Sequence, residues 1–214
     1  MGLRPALLCC LLSASVSIAG FQLTLDRRAI EEALALGQSR QDADRHRFHM
    51  LYRLNIARPP IDWIDVITPF HRVVLAAEAR ARVGDRVFGQ REALAALSAA
   101  PYPLELLVEL TFHPLNTFVG VPSYAVTLIG PQGVRIQPKQ LDRFPRFGPR
   151  TDSMPALPVP NAAPIFGAGE PMLGGMLLVQ FSAHDLNPNG RYDVVVTEAG
   201  KELARAPLDL AKVR

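Results

Sequence analysis

The chain has 214 residues, of which 49 % are apolar and 20 % charged, and its formal net charge is +3. That balance excludes an intrinsically disordered chain and is enough for one domain, or one domain with a lobe, around a buried core. So small a net charge also gives no electrostatic footprint for duplex nucleic acid, so no nucleic-acid partner is expected.

The basic residues are skewed. Lys139, Lys201 and Lys212 are the lysines, so arginine supplies 23 − 3 = 20 of them. A GC-rich genome produces the same bias, which is therefore not read as an anion site.

The first segment, MGLRPALLCCLLSASVSIAG, has one early charge at Arg4, an apolar run from Ala6 and small residues at Ser17 and Ala19. This is the layout of a secretory signal peptide, with cleavage expected after Ala19. The run is short for a bilayer span, which needs about 20 residues. Cleavage would remove Cys9 and Cys10 and leave 214 − 19 = 195 residues without cysteine. Such a chain forms no disulfide and has no thiol nucleophile. With no N-glycosylation sequon in the sequence, a bacterial periplasmic or cell-surface location is expected, with no transmembrane segment in the mature chain.

Residues 20–100 read as mainly helical. In TLDRRAIEEALALGQS, Thr24 or Asp26 can cap a helix whose apolar stripe is Ile30, Ala33 and Leu34, and Gly37 can end it in a left-handed conformation. RFHMLYRLNI alternates from Phe48 to Ile56 and predicts a strand, stopped by Pro59 and Pro60. TPFHRVVLAAEARARVG predicts a helix with Thr68 as cap, Pro69 in its first turn and Gly84 at its end. Phe70, Val73, Val74, Ala77 and Ala81 line one side, which leaves Arg72, Glu78, Arg80 and Arg82 for water. A third helix is expected around QREALAALS.

Residues 101–214 read as an antiparallel β-sandwich. PLELLVELTFH has apolar residues at every even position, while Glu105, Glu109 and Thr111 predict a solvated face. SYAVTLIGPQGVRIQ predicts a hairpin, GGMLLVQFSAH a strand, and RYDVVVTEAGKELARAPLDL a final hairpin bent near Gly200. Eight prolines between residues 138 and 171 predict a long loop without regular elements. The fold class expected is therefore α+β, with an N-terminal helical part and a C-terminal sandwich.

Four groups of residues invite a chemical reading. Asp185, Asn187, Asn189 and Gly190 match the first half of a calcium loop, but Val196 stands where a bidentate glutamate belongs and the flanks read as strands. Asn187-Pro188-Asn189-Gly190 fits a type I turn better. His46 and His49, with His71, would make a metal site only if the fold assembled them. Asp62 and Asp65 resemble paired carboxylates, but acid–base pairs need separations that the fold must set. Finally, Arg143, Phe144, Arg146, Phe147 and Arg150 interleave cations, aromatic rings and prolines in a segment suited to partner contacts.

No nucleophile elbow, phosphate loop, dinucleotide fingerprint or H-E-x-x-H motif occurs. The expectation is an exported, non-catalytic binding or cell-envelope accessory protein that contacts an envelope protein or extracellular ligand and needs no cofactor. The alternative is a periplasmic metal-dependent hydrolase built on His46, His49, His71, Asp62 and Asp65.

Overall fold

The computed structural model describes residues 20–85, 87–150, 155 and 171–214. The leader 1–19, with the expected cut and both cysteines, lies outside them, as does most of the proline-rich stretch beyond Arg150.

Two antiparallel sheets form the centre. The first has strand order β1 (Arg53–Arg58), β2 (Ile61–Ile67), β3 (Leu104–Thr111), β7 (Met172–Phe181), β6 (Gln140–Phe147). The second runs β5 (Arg135–Ile136), β4 (Tyr124–Ile129), β8 (Arg191–Glu198), β9 (Lys201–Asp209). Period-two alternation aims Ile64, Val66, Leu106, Val108, Leu110, Leu177 and Val179 of the first sheet at Val126, Leu128, Val194, Val196 and Leu208 of the second, in one buried core. The β8–β9 hairpin turns at Ala199 and Gly200, both with positive φ, the geometry that a tight two-residue hairpin needs.

A helical layer covers part of the outer face of the larger sheet. It contains α1 (Arg27–Gly37), α2 (Asp42–Met50), α3 (Pro69–Arg82) and α4 (Gln90–Ser98). Asp26 caps α1 by accepting from the Ala29 amide at 2.7 Å, and the Thr68 hydroxyl caps α3 by accepting from His71 N–H at 3.2 Å. Ile30, Ala33, Phe70, Val73, Val74 and Ala77 pack α1 on α3. Leu75 then pins α3 to Ile67 and Leu107 on the sheet. Among the described residues, no helix is long and apolar enough to cross a membrane.

Five local expectations need correction. The alternation at Phe48–Ile56 is not one strand: α2 runs to Met50 and β1 begins at Arg53. Asp42 and Asp44 sit in the first turn of α2, where the helix dipole favours acids. The helix buries only His49, so it has no apolar stripe to betray it. Gly37 is the last helical residue of α1 rather than a left-handed cap. It permits a helix crossing: a Cβ there would lie 2.5 Å from the Val74 carbonyl oxygen and 2.7 Å from the Ala77 Cβ. Residues 140–147, expected in a loop, form β6, an edge strand that holds Pro145. An edge is where a strand tolerates a residue without an amide donor. Glu105, expected on a solvated face, is 2 % exposed, because α3 lies over it. Arg72, expected in water, reaches under α3 to Glu105, and Glu78 is covered by His49 and Arg45 of α2.

Candidate functional site

The fold assembles three sites that could carry function: a buried polar chain, a tryptophan clamp and an apolar cleft.

The polar chain begins at the backbone. His71 Nδ1 lies 2.9 Å from the Val66 carbonyl oxygen, which can only accept, so this nitrogen carries the proton. Complete burial drives the His71 pKa down to about 3, so its ring is neutral and Nε2 accepts. The partner of Nε2 is His49 Nδ1 at 2.9 Å, which therefore donates. On the other side His49 Nε2 meets Glu78 Oε2 at 2.8 Å. Burial acts to raise the Glu78 pKa, but the His49 hydrogen bond and the charges of His49, Arg82 and Arg45 outweigh it and hold the carboxyl below its ordinary value. Glu78 is thus a carboxylate that accepts at the His49 Nε2 contact. Arg45 and Arg82 donate to the other Glu78 oxygen at 3.2 and 2.9 Å.

An acid–histidine pair aimed at a third group resembles the activation of a nucleophile. Here the third group is another histidine, and its far nitrogen is tied to a main-chain carbonyl. The arrangement acts as a strap that joins α2, α3 and β2. The outer end borders a cleft of about 440 Å³ lined by Arg40, Arg45, Glu78 and Arg82.

The clamp lies on the sheet's outer face. The Cζ atoms of Arg53 and Arg150 each lie 4.1 Å from the Trp63 ring centroid. Both cations thus lie against the Trp63 ring. Arg53 also binds Asp65 in a fork at 2.7 and 2.9 Å, and Trp63 Nε1 donates to Asp65 at 3.0 Å. Arg150 donates to Asp62 and Glu109, both at 2.8 Å. Burial raises the pKa of Asp65 and of Glu109, and their arginines only partly offset it.

The cleft, about 510 Å³, lies between α4, the start of α3, the chain entering α1 and the segment leading into β3. Leu23, Leu25, Leu94, Leu97 and Tyr102 line it, and Arg72 is the charged residue of its wall. Arg72 pairs with Glu105, which also accepts from Gln180 Nε2 at 2.5 Å. Burial lowers the Arg72 pKa to about 10.

The residues singled out in the sequence fall as follows. His49 and His71 meet, whereas His46 stays exposed on α2. Asp62 and Asp65 flank Trp63, each held by a different arginine. Among the described residues, no three of His, Cys, Asp and Glu are arranged to hold one metal ion. In the calcium-like loop, Asp185 pairs with Lys139 at 3.1 Å, Asn187 Oδ1 accepts from the Asn189 amide at 3.0 Å, and Gly190 N–H closes on the Asn187 carbonyl at 2.8 Å. These are the bonds of a turn.

Arg143, Phe144, Arg146, Phe147 and Arg150 lie on or just after β6. Arg146 donates to the Leu110 carbonyl at 2.9 Å and Arg150 enters the clamp, while Arg143 reaches the Tyr124 carbonyl at 3.1 Å. The segment is thus largely tied to its own sheet. Sequence reasoning missed Glu78 and Arg72. For Glu78 a signal existed: it follows His71 by seven residues and Val74 by four, so it shares their helical stripe.

No protein-family model, curated protein or solved structure matches the chain.

Proposed function

We propose that the chain is an exported, non-catalytic binding module of the cell envelope, and that the apolar cleft beside α4 is its binding site. The leader at residues 1–19 supports export, and Phe21 supports the position of the cut. Its ring is 4 % exposed and its N–H bonds to the Leu210 carbonyl at 3.0 Å. A cut after Ala19 leaves that anchor intact.

The observation that carries the reading is a contrast in how the side chains are used. The groups best suited to chemistry, His71, His49 and Glu78, are bonded in series through His49 and nearly inaccessible. Leu23 and Leu94, in contrast, are 40 % and 46 % exposed along one cleft. Large exposed apolar groups that share a concavity mark binding sites more often than chance does. The hydrolase alternative has weaker support, because the two histidines that meet are linked in series and not around a common point.

Two measurements test the proposal. N-terminal sequencing of protein recovered from the envelope fraction should begin at Gly20. Solvent extraction of that purified protein, followed by mass spectrometry, should release a bound molecule that Leu94→Asp no longer retains. A cytoplasmic, uncut chain would overturn the export half. Identical extracts from both proteins would overturn the binding half.

A further inference from the structure

The cleft carries a sharper statement, one that rests on the binding reading above. Its wall combines leucines and prolines with the hydroxyl-bearing Thr24, Ser98 and Tyr102 and one charged group, the Arg72 guanidinium, which is already neutralised. Arg72 forms an ion pair with Glu105, which is 2 % exposed, and Gln180 bonds the same carboxylate. Among the described residues, Glu105 is the hydrogen-bonding or ion-pairing partner recorded for Arg72. A guanidinium has five N–H donors in a planar fork, so an edge of Arg72 remains to face the cleft that it lines.

Charge then decides between ligands. A second carboxylate on Arg72 would add net negative charge to a largely dehydrated pair, at a desolvation cost that one extra contact does not offset. A carbonyl oxygen satisfies the open N–H groups without adding charge, and a hydrogen bond from a charged donor is stronger than a neutral one. The rest of the ligand must be aliphatic, because Leu23, Leu25, Leu94 and Leu97 present branched alkyl groups. The volume, about 510 Å³, is within the range of small-molecule sites. We propose that the cleft binds a neutral acyl ester, with its carbonyl on Arg72 and its alkyl chain between α4 and the residue 23–25 segment.

The test is calorimetric titration of residues 20–214 with three probes of equal chain length. These are 1-decanoylglycerol, its ether analogue 1-O-decylglycerol, and decanoate. The ester should bind one to one, and the ether, which lacks the carbonyl, at least tenfold more weakly. Decanoate should bind more weakly than the ester. Leu94→Asp, at a half-exposed position that leaves the core untouched, should reduce ester affinity at least tenfold.

A triple variant, Arg72→Met with Glu105→Leu and Gln180→Met, removes the ion pair together with the amide bonded to it and should bind ester and ether equally. Equal affinity of ester and ether for the unmodified protein, or tighter binding of decanoate, would overturn the proposal. If all three probes fail while the envelope-derived protein still releases a cleft-dependent molecule, the ligand class is wrong and the binding-module reading stands. Tighter cleft-dependent binding of an apolar peptide than of the ester would also overturn the ester assignment.

Discussion

The histidine strap and the Arg150 arm of the tryptophan clamp use similar groups, carboxylates, arginines and a ring, but in different surroundings; the other arm of the clamp, Arg53–Asp65, is as buried as the strap. In the strap, His49, His71 and Glu78 are 1 %, 0 % and 3 % exposed, and water cannot take over a lost bond. In the clamp, the Arg150 and Asp62 side chains are 23 % and 30 % exposed, so solvent screens them. Burial, more than the number of bonds, sets how much each site matters to stability.

Acid should affect the strap most. His71 titrates near 3 in the fold and near 6.5 when unfolded. Between those values the unfolded chain binds a proton that the folded chain refuses. Stability should therefore fall as pH drops through that window, by up to about 5 kcal/mol at its lower end. Glu78 acts in the same direction below its ordinary range, because its folded carboxyl resists protonation. Urea midpoints between pH 3.5 and 7.5 should show the slope, and His71→Phe should flatten it. A flat profile in the unmodified protein would place the strap on a par with the clamp.

Glu78→Ala should cost about 3–5 kcal/mol, because it leaves the buried His49 without its carboxylate and leaves Arg45 only the exposed Asp42 as an ion-pair partner. The double variant His49→Leu with Glu78→Leu should recover part of that loss, since it removes the buried histidine together with its carboxylate while Arg45 keeps Asp42. Gly37→Ala should cost about 1–3 kcal/mol, through the contacts with Val74 and Ala77 that an added methyl would force. Denaturant unfolding checks each.

Arg150→Ala should cost about 1–2 kcal/mol, and less in high salt, because its pairs with Asp62 and Glu109 and its cation–π contact are partly exposed and screened. Asp185→Ala should change stability by less than about 0.5 kcal/mol, since its Lys139 partner is 50 % exposed and the turn is closed by main-chain and asparagine bonds. A large loss in either would show that burial is the wrong criterion for ranking these sites.

Much of the layout was legible from local pattern. The even positions of Leu104–Leu110 pointed inward as their alternation required, and Thr68 and Pro69 began a helix where capping chemistry placed one. The site was less legible. Helix α2 was hidden because its single buried residue is a histidine, and an apolar periodicity cannot register that. Glu105 was misplaced because alternation reports only the face turned towards the partner sheet, and not that α3 covers the other. The Arg53–Trp63–Arg150 cluster joins residues almost a hundred positions apart, and no spacing rule connects them.

The sequence by itself determined the α+β class and most strand and helix positions, because those depend on apolar periodicity and on residues a few places apart. Only the tertiary structure decided that His49, His71 and Glu78 share one buried chain, and that Arg72 spends its charge on Glu105 at the wall of an apolar cleft. Both outcomes depend on which faces two helices and a sheet turn towards one another, and that is a property of packing at long range.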